Sequence, residues 1–170
     1  MPLEPDVAVT LSEPLTMPKP IQFRDLCSVV DDLHAAFGEW EQAGVLAPPL
    51  DLFSVEVLKF AIHEWVANLV QHADFGARPP LIQLTLEAHG ERIRCAIDDN
   101  SRGFDFELQL AHQQEAVEAP TPPERGRGLL MMIACTEDLR YTRPPSSTDG
   151  RHRLEFSISA SKRPWIDIPF

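Results

Sequence analysis

The chain is poor in cysteine, in long apolar runs and in positive charge, and each scarcity argues against a class of protein. Its three cysteines, Cys27, Cys95 and Cys135, stand far apart and form no CxxC pair. That spacing argues against a disulfide framework or a zinc site and leaves buried reduced thiols as the expectation. No apolar stretch reaches the roughly 18 residues of a membrane span, and no basic segment followed by an apolar run opens the chain. The expectation is a cytoplasmic protein with no membrane partner. Basic residues number 15 against 26 acidic ones, for a net charge of −11. Only local patches could then offset phosphate repulsion, which argues against direct nucleic-acid binding. The remainder is ordinary: 44% hydrophobic and 24% charged over 170 residues, enough for one domain with a real core.

Residues 1–20 are rich in proline and read as a segment apart from the folded part, residues 21–170. Within that segment Val7, Val9 and Leu11 alternate as a single edge strand would. From Arg24 to Ala43 the residues Leu26, Val29, Val30, Leu33, Phe37 and Trp40 recur at helical spacing, and Gly44 is a stop signal. After Pro48 and Pro49, Asp51 is placed to cap a second helix running to about Ala73. Ile82, Leu84 and Leu86 then alternate with Gln83, Thr85 and Glu87. Beyond a turn at His89-Gly90, Ile93, Cys95 and Ile97 alternate with Arg92, Arg94 and Ala96. This predicts an antiparallel hairpin with one buried and one wet face. The polar stretch 107–125 reads as a mobile loop with one helical turn. "GRGLLMMIAC" reads as a glycine pair opening a short apolar helix. Leu139 to Thr142, and Leu154, Phe156 and Ile158, read as two more strands. The fold class is α+β, a two-layer sandwich with a mostly antiparallel sheet covered on one face by about three helices.

The second helix carries an oddity in "HEWVANLVQHA", residues 63–73. Projected as a helix, Val55, Leu58, Ile62, Trp65, Val66 and Leu69 form a core stripe, while Glu56, Lys59 and His63 form a solvent face. Glu64, Asn68 and Gln71 fall on neither, beside Val57, Phe60 and Ala61, as if lining a partly apolar groove. Satisfying nearby backbone groups at a packing seam is the plain alternative. A zinc-protease reading fails, because Ala67 stands where the second histidine of HExxH must be.

Two loops add to it. In "AIDDNSRGFDF", residues 96–106, Asp98, Asp99, Asn100 and Ser101 are good turn formers. A carboxylate at a strand end can also accept a hydrogen bond from an exocyclic amine such as that of adenine, and Gly103 would permit close approach. In "ERGRGLL", residues 124–130, two glycines open a helix whose free N–H groups and positive dipole end suit phosphate. Arg125 and Arg127 add local positive charge, although a flexible loop before a buried helix accounts for the pattern too.

In this order, the three features resemble the histidine-kinase-like ATPase (GHKL) superfamily over roughly residues 24–160. "HEWVANLVQHA" looks like its N box, "DDNSRGFDF" its first glycine box and "GRGLLMM" its second. The small size, the "QHA" ending, "GFDF" and "DLRY" look most like bacterial anti-sigma-factor serine/threonine kinases. The resemblance implies a Bergerat-type ATP-binding fold with ATP and magnesium as cofactors. It implies Asn68 as magnesium ligand, Glu64 as general base and Asp99 as reader of adenine. His72, Ser101, Gly103, Arg125, Gly126, Arg127, Gly128 and Leu129 complete the implied nucleotide-binding set, with 107–125 as the lid. It further implies an anti-anti-sigma (STAS-type) partner to phosphorylate, a sigma factor to hold, and a homodimer. One departure stands out: the box usually reads D-x-G-x-G, and Ser101 replaces the middle glycine. If that position must be left-handed, serine would cost about 1 kcal/mol and weaken nucleotide affinity. A non-catalytic module that sequesters a partner, or an ATPase without kinase activity, is the alternative function on the same fold.

Overall fold

The computed structural model describes residues 17–103, 105–120, 126–144 and 150–160. The strand expected around Val7 to Leu11, and Arg125, lie outside them. The described elements run β1 (Ile21–Phe23), α1 (Val29–Ala43), α2 (Leu52–His72), β2 (Ile82–His89), β3 (Arg92–Asp99), α3 (Phe106–Glu118), α4 (Gly128–Cys135), β4 (Glu137–Thr142) and β5 (His152–Ser159). The strands lie in the order β1-β2-β3-β5-β4, and every neighbouring pair is antiparallel.

Alternation along the strands divides the sheet into two faces. Ile82, Leu84, Leu86, Ile93, Cys95, Ile97, Leu154, Phe156 and Ile158 are buried, on the face the helices cover. The other face carries a ladder of charge: Arg94 pairs with Glu155, Arg92 with Glu137 and Asp138, and Arg153 with Asp98. The stripe Val55, Leu58, Ile62, Trp65, Val66 and Leu69 of α2 is buried as the helical projection requires. Asp51 caps that helix, its carboxylate accepting from the Ser54 amide at 2.8 Å. Gly44 ends α1 in the left-handed conformation, φ 64°.

Three expectations change. The stretch expected to be a mobile loop contains a 13-residue helix, α3, so four helices are present. None of its residues is fully buried; Phe106 and Leu110 alone pack against the core. Asp105 caps it by accepting from the Leu108 amide at 3.1 Å. The three-residue edge strand β1 was not expected. Of the cysteines, Cys95 and Cys135 are buried but Cys27 is exposed, because it lies in the turn ahead of α1 rather than on its inner face. Among the described residues no helix is long and apolar enough to cross a membrane.

Candidate functional site

On α2, Glu64 and Asn68 are half-buried, between the core stripe and the exposed end of the helix at Gln71 and His72. The placement follows from helical geometry, which stacks residues four apart on one line. Buried Val57 and Ala61 and half-buried Phe60 flank that line. The Glu64 carboxylate reaches α4: a methyl group added at Gly128 would overlap it outright. Only a glycine at the first position of α4 lets the two helices meet in this way. The Asn68 side-chain nitrogen is buried without a hydrogen-bond partner, an arrangement a folded chain rarely leaves unanswered. His72 lies one turn beyond Asn68 and is exposed.

The sheet supplies the second wall, and its alternation separates the paired aspartates. Asp98 points to the charged face, where Arg153 holds it through two bonds of 2.7 and 2.9 Å. Asp99 points the other way and is completely buried. Its Oδ1 accepts from the Ser101 amide at 3.0 Å and from the Ser101 hydroxyl, while its Oδ2 has no partner. The Ser101 hydroxyl in turn accepts from the Gly103 amide at 3.1 Å. Burial raises the Asp99 pKa, although the Ser101 bonds and the proximity of His152 pull it back. Asn100 fixes the turn from the other side, accepting from the Leu81 amide and donating to the Pro79 carbonyl.

The expected strain at Ser101 is absent. Among the described residues Asp138 is the sole non-glycine with positive φ. The left-handed residue of this turn is Gly103, φ 111°, so serine fits at 101 and its hydroxyl ties Asp99 to the turn.

The third wall is the start of α4. Gly126 takes φ 81°, and the exposed Arg127 at the N-cap makes no side-chain cap. The cap comes from α3 instead. Gln113 accepts from the amides of Leu129 and Leu130 through its side-chain oxygen, at 3.1 and 3.4 Å. The Leu129 side chain is fully buried, and its amide is the group that Gln113 holds.

Two residues of this site carry too weak a sequence signal to be singled out, Gln113 and His152. His152 stands opposite Asp99 in the β3–β5 register, 7% exposed, with its ring edge beneath Gly103. Its Nδ1 is buried without a partner, and its ring stacks on Tyr141 at 5.9 Å. Burial lowers its pKa; Asp99 opposes that shift and Arg143 adds to it. Extending the alternation Leu154, Phe156, Ile158 back by one step would have placed His152 on the inner face. Gln113, one polar residue among many on α3, carries no such signal.

Glu64 and Asn68 on α2, the Asp99 turn at the sheet end and the Gly126–Leu129 segment make up the candidate site, in which Glu64 joins α2 to the start of α4 at Gly128. A cleft of about 410 Å³ lined by Arg92, Arg94 and Arg140 lies on the opposite, charged face and is separate from it. The site fits a magnesium nucleotide in its donor set. A buried acceptor without a donor suits a base amine, and the first amides of a helix suit phosphate. Among the described residues no three His, Cys, Asp or Glu side chains gather to hold a metal. A magnesium ion would therefore rely on Asn68 together with phosphate oxygens and water, the shell this hard cation prefers.

An α+β sandwich with an antiparallel sheet covered on one face by helices is the class these features define. The family described as "Histidine kinase-like ATPase domain" matches residues 23–155, and the chain belongs to that family. It is an ATP-binding domain of the GHKL type. No curated protein matches the chain. Among solved structures, the chain is similar to the histidine kinase domain from the Erythrobacter litoralis EL346 blue-light activated histidine kinase, at 15% identity and a TM-score of 0.46. That similarity covers 80% of this chain and 59% of that one, so the chain spans well under two thirds of that domain.

Proposed function

We propose that the chain binds magnesium-ATP and phosphorylates a serine or threonine hydroxyl on a small STAS-type anti-anti-sigma partner, while holding a sigma factor on the same domain. The observation that carries this reading is the contact of the Glu64 carboxylate with Gly128. It brings an acid and a helix start suited to phosphate into one place, as phosphoryl transfer to a hydroxyl requires.

The parts divide along the site. Asp99 Oδ2 accepts from the exocyclic amine of adenine, and Ser101 and Gly103 shape the turn beneath the base. The amides at the start of α4, with Gly126, Arg127 and Gly128, receive the phosphates. Asn68 holds the magnesium ion. Magnesium-ATP, when bound, supplies the γ-phosphoryl group and leaves as ADP. Glu64 takes the proton of the attacking hydroxyl onto its carboxylate, from a position one helical turn from Asn68.

The test is label transfer from γ-labelled ATP to a STAS-domain protein of the same genome. Glu64→Ala should lower transfer about a hundredfold or more while magnesium-ATP still raises the melting temperature. Transfer that survives intact in Glu64→Ala defeats the role of the acid. Nucleotide stabilisation without transfer to any partner would favour the ATPase or sequestering alternatives. Serine at 101 is unstrained, so the departure from D-x-G-x-G carries no left-handed backbone cost.

A further inference from the structure

The start of α4 is already occupied, and by the chain itself. A helix leaves its first amides without intrahelical acceptors, and a residue at or next to the N-cap ordinarily answers them. Here Arg127 does not, and the side-chain oxygen of Gln113 arrives from α3 to take the amides of Leu129 and Leu130 together. Glu64 closes the adjoining position, its carboxylate lying against Gly128. The Gln113 side-chain oxygen therefore stands where the proposed reading puts a phosphate oxygen, beside the Glu64 carboxylate. Elsewhere among the described residues, Asp99 Oδ2 and the Asn68 side-chain nitrogen are buried without a hydrogen-bond partner.

The helix that delivers Gln113 is weakly held. None of its residues is fully buried, Leu108 and Val117 are 48% and 38% exposed, and only Phe106 and Leu110 touch the core. All of these but Val117 lie toward its N-terminal end. Where α3 packs against α4, the described hydrogen bonds between them are the Gln113 pair.

We propose that Gln113 is an internal stand-in for nucleotide phosphate: it caps α4 in the nucleotide-free chain, phosphate displaces it, and its displacement frees α3. The proposal rests on the nucleotide-binding reading above. Two consequences follow from the competition. Nucleotide affinity is reduced by the fraction of time Gln113 holds the amides. Binding at the phosphate end is also reported outward, because α3 loses its polar anchor.

The experiment uses the full chain, magnesium-AMPPNP as probe, calorimetry for affinity and amide hydrogen exchange for α3 and α4. Two neutral hydrogen bonds set against the nucleotide imply that Gln113→Ala binds about three- to thirty-fold tighter than the unaltered chain. Gln113→Glu, whose charge suits a helix start better, should bind more weakly. Without nucleotide, the amides of Leu129 and Leu130 should exchange faster in Gln113→Ala. On saturation of the unaltered chain, α3 should exchange faster while α4 is protected. Equal or weaker binding by Gln113→Ala, or α3 exchange unmoved by saturating nucleotide, overturns the proposal and leaves the nucleotide site standing. Binding by Gln113→Ala alone supports it. Absence of binding in every variant removes this proposal and the nucleotide reading together.

Discussion

Asp99 and His152 face each other across β3 and β5 at the end of the sheet's inner face, each with one buried polar atom that has no hydrogen-bond partner among the described residues. The relationship is a product of strand parity: both continue the alternation that buries Ile97 and Leu154. A core position has thereby been given to an acid and an imidazole, at the place where the first glycine turn crosses above them.

Asp99→Asn separates binding from folding. It keeps the shape and removes a carboxylate whose burial opposes its charged form, so the melting temperature should hold or rise slightly. Loss of a charge-assisted acceptor should weaken magnesium-nucleotide binding about ten- to a hundred-fold. Calorimetry and thermal melting on the same samples read both.

The two groups give opposite pH signatures. The raised Asp99 pKa means the folded chain takes up a proton before the unfolded one, so this group's destabilising effect is relieved as pH falls toward the carboxylate range. The lowered His152 pKa means the unfolded chain protonates first. Stability from neutral His152 is full above its ordinary 6.5 and is lost as pH drops from there toward its lowered value. Thermal melts between about pH 7 and pH 5 should fall more steeply for the unaltered chain than for His152→Asn. Parallel curves would remove His152 from this account.

Gly128→Ala tests the helix contact. The residue is not left-handed, and the added methyl meets only the end of a flexible side chain, so the fold should survive with a stability change within about 1 kcal/mol. Glu64 must move, and label transfer should fall with it. In a Glu64→Ala background the same change should have no further effect on transfer, a coupling that a double-mutant cycle measures directly.

Gly103→Ala should be the more damaging glycine change. It combines a φ of 111° with a Cβ only 2.8 Å from the His152 ring. Denaturant melts should show a loss of about 1–3 kcal/mol from the backbone alone. His152→Ala should restore only the part due to contact.

Much of this was legible in the sequence where burial imposes a period. The stripe of α2, the β2–β3 hairpin and the Asp51 cap follow from spacing, and the groove line of Glu64 and Asn68 is visible as an exception to it. Asp99 was legible as a strand-end acid, and one further step of the alternation Ile93, Cys95, Ile97 turns it inward rather than Asp98. α3 escaped because it buries no residue fully, so its sequence is under no apolar period. Gln113 escaped with it, since its partner is a helix start 16 residues further on. The strain expected at Ser101 failed for a local reason: the turn places its left-handed residue at Gly103.

The most direct measurement is an amide NMR titration of the full chain with magnesium-AMPPNP. One nucleotide per chain should shift the amides of Ser101, Gly103, Leu129 and Leu130 together, with Asn68→Ala weakening the midpoint. Absence of a saturable shift, or shifts confined to the charged sheet face around Arg92 and Arg140, would show that these groups do not form one nucleotide site.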